Sequence, residues 1–373
     1  MPAAARSTRR RALAAVAALP LLIGALGACG YGSEKNSTTA GSAPGKNTGG
    51  KKLSADTVRI GYFPNITHAT PLVGEQEGLL QKELGGTKLR STTFNAGPSE
   101  IEALNAGSID IGWIGPSPAI NGYVKSNGRS LRIVSGSASG GVKLVVDPKK
   151  ISSPDDLKGK RIATPQKGNT QDVAFLHWIA EKGWTVDPQS GKGDVSVVRT
   201  DNKVTPDAFK SGSVDGAWVP EPTASKLVSE GGKVLLDESS LWPDGKFVIT
   251  NVIVSQKFLD AHPDVVEAVL RGSVRTNAWI KANPEKAKGS ANAALKKLSG
   301  KELPAAIIDP AWKSIEVLDD PLAASLEAEA DHAVKAGLLQ KPDLSGIYDL
   351  TVLNKVLKAE GRPAVTAAKL GKQ

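Results

Sequence analysis

Cysteine is nearly absent from this chain of 373 residues, which contains one, Cys29. A single cysteine cannot form a disulfide within the chain or a cysteine-rich zinc site, so the fold is stabilised by neither. The chain has four histidines, and His68 has no second histidine at the spacing of a metal site. These absences exclude disulfide-stapled folds and give no reason to expect a metal or a cofactor.

Long apolar runs are also missing after residue 33, so no later segment predicts a membrane-spanning helix of roughly 20 residues. The net charge of +9 is unevenly placed, because much of it comes from the first 52 residues: Arg6, Arg9, Arg10, Arg11, Lys35, Lys46, Lys51 and Lys52. The remaining chain is close to neutral. The basic composition is therefore no argument for a nucleic-acid partner, and we expect none.

The N-terminal segment predicts an export signal. Four arginines precede an uncharged run over residues 12–33, which contains Leu26-Gly27-Ala28-Cys29. A basic start, a short apolar stretch and small residues before a cleavage point are typical of secretory signals. The last four residues resemble the lipobox of bacterial lipoproteins, in which the cysteine becomes the lipidated first residue. We expect a signal peptide over residues 1–28, a lipid on Cys29, and a protein anchored to the outer face of the cell membrane.

Two alternatives concern this segment. Residues 12–28 as a membrane anchor are disfavoured, because the apolar stretch is shorter than the roughly 20 residues of a spanning helix. Residues 8–13 also resemble a twin-arginine signal, with Ala12 where that pattern favours phenylalanine, so the export route stays open. Residues 29–55 are rich in Gly, Ser, Thr, Asn and Lys, which predicts a flexible linker.

From residue 57 the chain alternates short apolar strands with helical segments, which predicts an α/β fold with open sheets. The predicted strands cover residues 58–63, 88–94, 109–114, 131–135, 143–146, 161–164, 195–198, 214–219 and 247–255. Beyond Pro263 the pattern is mostly helical. Leu322, Leu326, Ala330 and Val334 recur at four-residue spacing, which places them on one buried helix face.

Several segments resemble the extracytoplasmic substrate-binding proteins of ABC importers, in the aliphatic sulfonate, taurine and nitrate group. They occur in the family's order, at residues 61–69, 94–98, 114–119, 156–160, 163–172 and 216–222. The resemblance covers roughly residues 57–272, and nothing specific is recognised beyond residue 283. It implies a type II periplasmic-binding-protein fold: two α/β lobes joined by two hinge strands, with C-terminal helices.

This fold predicts the domain organisation. We expect residues 56–146 and 247–345 to form the first lobe, residues 147–246 the second, and residues 346–373 a C-terminal extension. The chain would cross between lobes near residues 146–149 and 239–246. The resemblance also implies a monomer that is not an enzyme and has no catalytic residues.

In an open α/β sheet, ligands bind beyond the carboxyl ends of the strands, where helix N-termini favour anions. The segments above are strand-to-helix loops of this kind. We expect ligand contacts from neutral donors, from glycines that let the backbone approach, and from one aromatic wall: Asn65, Thr67, His68, Gly97, Ser117, Gly168, Asn169, Thr170, Gln171 and Trp218. Gly115 allows the same close approach.

Each assignment has a structural alternative. Ser117 could simply cap a helix, and Thr170 and Gln171 could be first-turn residues in solvent. His68 is expected to form a hydrogen bond in its loop rather than to bind a metal. Trp113 and Trp218 could wall the cleft or lie in the core.

Glu221 does not fit a simple anion site, because a carboxylate repels a sulfonate. It is expected as a site residue that either faces solvent or neutralises the ammonium group of a zwitterion such as taurine.

The expected function is the capture of a small organic anion, first an aliphatic sulfonate, for an ABC permease and its ATPase. Taurine, nitrate or another small solute is the alternative ligand, and a sensor lipoprotein without transport is the alternative role. An enzyme of the same fold, of the kind that makes the thiamine pyrimidine, is disfavoured because it needs a cysteine-rich motif.

Overall fold

The computed structural model describes residues 52–373. The predicted signal peptide, Cys29 and most of the predicted linker lie outside the described residues. The end of that linker is attached to the fold, because the backbone N–H of Ser54 donates a hydrogen bond of 2.8 Å to the carboxylate of Asp264. Among residues 52–373, no helix is both long enough and apolar enough to cross a membrane.

The first part of the chain alternates strands and helices as the sequence predicts. Its elements are β1 (Thr57–Tyr62), α1 (Ala69–Gln76), α2 (Leu79–Leu84), β2 (Lys88–Thr93), α3 (Gly97–Asn105), β3 (Ile111–Ile114), α4 (Pro116–Lys125) and β4 (Leu131–Gly140). Strand β1 pairs in parallel with β2 and with β3. Because parallel strands share their direction, the loops that follow these strands leave the sheet at the same edge.

The middle of the chain builds a second sheet. Its elements are β5 (Val142–Val146), β6 (Arg161–Thr164), α5 (Thr170–Glu181), β7 (Ser196–Arg199), α6 (Thr205–Lys210), β8 (Gly216–Pro220), α7 (Thr223–Ser229) and β9 (Lys233–Asp237). The five strands lie in the order β7-β6-β8-β5-β9. Before β6, Ser153 and Asp156 form the two hydrogen bonds of a capping box around a short 3-10 turn.

The rest of the chain returns to the first sheet. Its elements are β10 (Val248–Ser255), α8 (Gln256–Ala261), α9 (Pro263–Ala282), α10 (Pro284–Ser299), α11 (Ala305–Lys313), β11 (Ile315–Val317), α12 (Ala323–Lys335), β12 (Tyr348–Asp349), α13 (Thr351–Ala359) and β13 (Gly371–Lys372). The first sheet has the order β13-β12-β4-β10-β3-β1-β2, with β11 on β4. Of the four residues predicted on one buried helix face, Leu326 and Ala330 of α12 are buried and Val334 is half-buried, whereas Leu322 precedes the helix with a φ of 47°.

The first crossing between the sheets differs from the prediction. Strand β5 pairs with β8 on one side and β9 on the other, so residues 143–146 belong to the second sheet. The chain crosses at Gly140 and Gly141, which have φ values of 78° and 76°. Glycine adopts this left-handed backbone without strain, and that allows the abrupt change of sheet. The second crossing lies between β9 and β10, which is the region that the sequence indicates.

The predicted C-terminal extension is part of the first lobe. Tyr348 of β12 pairs with Ile133 of β4. Helix α13 buries Leu353, Val356 and Leu357 in the main core of that lobe. This placement follows from the amphipathic pattern of α13, since a helix with one apolar face needs a core to cover it.

Candidate functional site

A small cavity lies between the two sheets, where the strand-to-helix loops converge. Residues after β1, β2 and β3 line it from the first lobe, and residues at the start of α5, after β7 and at the end of β8 line it from the second lobe. The lining residues are Phe63, Asn65, Thr67, His68, Asn95, Gly115, Asn169, Thr170, Gln171, Asn202 and Pro220, with Ile249 of β10. The space open to the centre of a water-sized sphere is about 10 Å³. This is about the room that one water needs, so the lobes are closed.

Hydrogen bonds between the lobes hold this closed arrangement. The backbone N–H of Gly97 donates to Oδ1 of Asn169 at 3.0 Å. The backbone N–H of Ile66 donates to the carbonyl of Glu221 at 3.1 Å. Each bond joins a loop of the first lobe to a loop of the second, so opening the lobes breaks both.

Two helices begin at the cavity. Helix α4 follows Gly115, and α5 follows Asn169. The first N–H groups of a helix have no partner within the helix, and its dipole places partial positive charge there. Pro116 and Pro118 have no N–H, so Ser117 is the one backbone donor among the first three residues of α4. The two helix ends together provide backbone donors that suit an anion.

Neutral side chains fill the space between these helix ends. The hydroxyl of Thr67 donates to Oδ1 of Asn65 at 2.7 Å, and Nδ2 of Asn169 donates to Oε1 of Gln171 at 2.7 Å. These bonds use the acceptor oxygens of Asn65 and Gln171. The amide N–H groups of both residues are therefore the atoms suited to an incoming acceptor.

His68 is a neutral donor in the same cavity. Burial lowers its pKa to about 3, so the ring carries no charge at neutral pH. Its Nδ1 accepts the backbone N–H of Phe63 at 3.2 Å. Because the acceptor nitrogen has no proton, the proton of the neutral ring is on Nε2.

Thr170 contributes a buried hydroxyl without a partner. The residue is 1 % exposed, and its Oγ1 has no hydrogen-bond partner among residues 52–373. A Cβ at Gly115 would overlap this oxygen. Glycine at position 115 thus allows the first lobe to approach Thr170, and it leaves an unsatisfied donor beside the cavity.

A buried ion pair stabilises the loop at the start of α5. Nε of Arg199 donates to Oδ1 of Asp172 at 2.9 Å, and Asp172 is fully buried. The other carboxylate oxygen accepts the backbone N–H of Gly168 at 3.0 Å. Asp172 therefore fixes the Gly168 loop, and its negative charge is balanced by Arg199 rather than directed at the cavity.

Three predicted site residues lie beside the cavity without lining it. Gly97 acts through its N–H on Asn169, and Gly168 has a φ of 77° in the loop before α5. The hydroxyl of Ser117 donates to Glu329 of α12 at 3.3 Å. Ser117 thus points its side chain toward α12, while its backbone N–H remains at the start of α4.

Trp218 is a correction to the sequence prediction. It is fully buried in the second lobe, packs on Phe175 and Trp178, and donates its indole N–H to Glu238 at 2.6 Å. Trp113 is also fully buried, in the core of the first lobe. Both rings lie in the core because strands β3 and β8 are covered on both faces.

Glu221 is the second correction, because it does not face solvent. Its side chain is fully buried, and Oε1 accepts from Nζ of Lys143 at 2.7 Å. The other oxygen accepts the backbone N–H of Ser225 at 2.9 Å. Both oxygens are engaged within the protein, and Lys143 also donates to Ser314 of the first lobe at 2.6 Å.

Several lining residues were not singled out by the sequence reasoning: Phe63, Asn95, Asn202, Pro220 and Ile249. Asn95 follows a predicted strand, like Asn65, so its position could have indicated it. Asn202 lies in a loop after β7 whose sequence has no such signal.

A wider cavity of about 170 Å³ opens beside the first. The two share Phe63, Asn65, Asn95 and Asn202. Phe94 and Pro206 add apolar surface, and Asp201, Lys203 and Lys226 bring charged groups. The small cavity is thus polar and neutral, whereas its neighbour combines apolar walls with a charged rim.

Residues 51–295 match the model of the NMT1-like family. The chain is 30% identical over 234 residues to the taurine-binding periplasmic protein of Escherichia coli K12, which covers 63% of this chain and 69% of that protein. It is 25% identical over 329 residues to a putative aliphatic sulfonates-binding protein of Bacillus subtilis 168, which covers 81% of this chain and 88% of the other.

The solved structures include the alkanesulfonate-binding protein SsuA from Xanthomonas axonopodis pv. citri, bound to MOPS. It superposes with a TM-score of 0.63 at 25% identity, over 77% of this chain and 95% of that one. The expected periplasmic-binding-protein fold, with one sheet in each lobe, is confirmed by this likeness.

Proposed function

We propose that this chain, which belongs to the NMT1-like family, captures a small aliphatic sulfonate between its lobes as the solute-binding component of an ABC importer. One observation carries the choice of ligand. Among the residues described, the lining of the small cavity has neutral donors and two helix N-termini, and no charged side chain. This combination suits an anion that needs several hydrogen bonds and no proton transfer.

The chemistry of a sulfonate matches these donors. It has three equivalent acceptor oxygens and a charge that does not titrate near neutral pH. The hydroxyl of Thr170, the amides of Asn65 and Gln171, and Nε2–H of His68 provide donors from both lobes. The apolar part of the ligand would extend into the neighbouring cavity, past Phe63 and Phe94.

Several weak contacts are needed together. A helix end contributes about 0.3–1 kcal/mol to an anion at the surface, and up to ~2 when partly buried. A hydrogen bond nets about 0.5–1.5 kcal/mol. Micromolar affinity needs about −8 kcal/mol, so two helix ends and some four to six hydrogen bonds must act at once, with burial of the tail. Closure of the lobes would assemble them, and the ligand would displace the hydrogen bond between Gly97 and Asn169.

The proposal includes the partners and the location. The protein works outside the cytoplasm, transfers its ligand to a membrane permease with an associated ATPase, and catalyses no reaction. A lipid on Cys29 would keep it beside the permease as a monomer.

Taurine is the second candidate ligand. The carboxylate of Asp201 at the rim of the neighbouring cavity is placed to meet an ammonium group on the tail.

A thermal-shift screen tests the proposal. Ethanesulfonate, taurine and nitrate are added to the purified protein, and a ligand at about a hundred times its dissociation constant should add about 2.7 kcal/mol to the free energy of unfolding. Thr170→Glu should abolish the shift, because it places a carboxylate at the helix end. The absence of a shift with every sulfonate at millimolar concentration would overturn the ligand assignment.

A further inference from the structure

A second pocket lies away from the small cavity, on the side of helix α5. Its volume is about 330 Å³, within the usual range for sites that bind small molecules. The second lobe contributes His177, Trp178 and Lys182, the second crossing contributes Glu238 and Trp242, and α12 of the first lobe contributes His332. The small cavity shares none of these residues.

The walls of this pocket are aromatic. The rings of His177 and His332 stack with centroids 3.8 Å apart, and Trp242 packs against His332 at 5.1 Å. Burial lowers the pKa of both histidines, that of His332 to about 4, so both rings are neutral at neutral pH. Indole rings such as those of Trp178 and Trp242 attract cations.

A buried carboxyl group is available at the same pocket. Glu238 is 1 % exposed, and its Oε1 has no hydrogen-bond partner among residues 52–373. Its Oε2 accepts the indole N–H of Trp218 at 2.6 Å. Burial without a cation raises its pKa to about 7. A buried carboxyl oxygen without a partner is costly, and a cation beside it removes that cost.

A cation of the protein itself already contacts one wall of the pocket. Nζ of Lys182 lies 5.2 Å from the centroid of the Trp178 ring. The other charged groups near the pocket are Glu181, which pairs with Lys335 at 3.1 Å, and the buried Glu329 on α12. Burial raises the pKa of Glu329 well above its usual value, and the charge of Glu238 adds to this effect. The charge of Asp237 adds in the same way to the effect of burial on the pKa of Glu238. Of the two acidic residues that line the pocket, Glu181 is paired and Glu238 has no salt bridge within the described residues, and the indole rings attract positive charge.

We propose that this pocket binds a small organic ammonium ion, held by the carboxylate of Glu238 and by the aromatic side chains of Trp178, Trp242 and His332 that line it. The bound cation contacts the second lobe, the crossing segment and the first lobe together. This site is separate from the one for the sulfonate, and its occupancy does not depend on the identity of that ligand.

Calorimetry with two probes of the same shape tests the proposal. Choline carries a quaternary ammonium group, and 3,3-dimethylbutan-1-ol is its neutral isostere. Choline should bind the purified wild-type protein with a dissociation constant on the order of 1 mM or lower, and the alcohol at least about tenfold more weakly. Equal binding of the two probes, or no binding of choline, would overturn the proposal. This comparison needs no variant.

Variants locate the binding. Glu238→Gln keeps an acceptor for Trp218 and removes the charge, and it should weaken choline binding by about tenfold. Glu302→Gln removes the same charge from an exposed position and should leave the affinity unchanged. Lys182→Ala should keep or strengthen binding, because it removes a competing cation. If Glu238→Gln binds choline as well as wild type, or if Lys182→Ala abolishes binding, the assigned pocket is wrong.

Choline binding should also release a proton near pH 7, because the cation favours the ionised form of Glu238. Titrations in two buffers with different ionisation enthalpies measure this release. Its absence in wild type would contradict the role of Glu238, whereas its loss in Glu238→Gln would support it.

Discussion

The contact between Gly115 and Thr170 gives the sharpest prediction about lobe closure. Gly115 has φ of −69° and ψ of 158°, a backbone that alanine adopts without strain. Its substitution therefore acts only through the added Cβ, which would overlap Oγ1 of Thr170 across the interface. Gly115→Ala should shift the ligand-free protein from the closed toward the open arrangement.

The size of the shift follows from the cost of overpacking. An extra carbon in a tight site costs about 1–3 kcal/mol. Since about 1.4 kcal/mol is a factor of ten in an equilibrium constant, the ratio of open to closed protein should rise about 5- to 150-fold. Removing the obstructing oxygen should reverse this, because the Cβ of Thr170 would then be the nearest atom, at 3.3 Å. The double variant Gly115→Ala/Thr170→Ala should be closed again.

Distances between spin labels on the two lobes measure the effect. Glu102 on α3 and Lys210 at the end of α6 are both exposed, and each can be replaced by cysteine in a Cys29→Ser background that has no other thiol. Gly289→Ala is the matched control, since nothing lies within 4 Å of a Cβ at that position in α10. The reasoning is refuted if Gly115→Ala keeps the wild-type distance, or if the double variant stays open.

Three further predictions concern buried polar groups. Thr170→Val removes an unsatisfied hydroxyl, so it should raise the melting temperature of the empty protein and weaken sulfonate binding by about tenfold in calorimetry. Between pH 4.5 and about 7, Glu238 is protonated in the native state and ionised in the unfolded chain. The free energy of unfolding, measured with urea, should therefore fall as pH rises through that window, and it should fall less steeply in Glu238→Gln. Lys143→Met leaves the carboxylate of Glu221 buried without its cation and should cost about 3–5 kcal/mol in chemical denaturation, and Lys143→Met/Glu221→Gln should recover part of that loss.

The sequence predicts the fold well because strand and helix periods differ. The alternation from residue 57 onward identifies most elements to within a few residues, and the loops after β1, β3 and β6 could be placed at the carboxyl ends of their strands. Asn65, Asn169 and Thr170 line the cavity, since a residue at a strand-to-helix junction has little freedom in where it lies.

The crossings and the C-terminal region were harder to predict, because sheet membership depends on pairing partners that are distant in sequence. Residues 143–146 form a good strand in either lobe, and only their register with β8 and β9 decides between them. Likewise, the amphipathic pattern of α13 indicates a buried face but does not identify which core covers it.

Trp218 and Glu221, whose side chains do not lie where the sequence analysis expected them, are found at the end of strand β8 and directly after it, respectively. Strand β8 runs antiparallel to β5, with Val219 opposite Lys143 and Pro220 opposite Val142. This register brings the ammonium group of Lys143 to Glu221, which comes two residues after Val219, so a carboxylate that would repel a sulfonate is neutralised inside the second lobe. Trp218 is on the same strand, and Glu238 of the second crossing accepts its indole N–H. A motif gives the position of a residue along the chain, but the partner of a buried polar group is set by strand register, which is a property of the folded sheet.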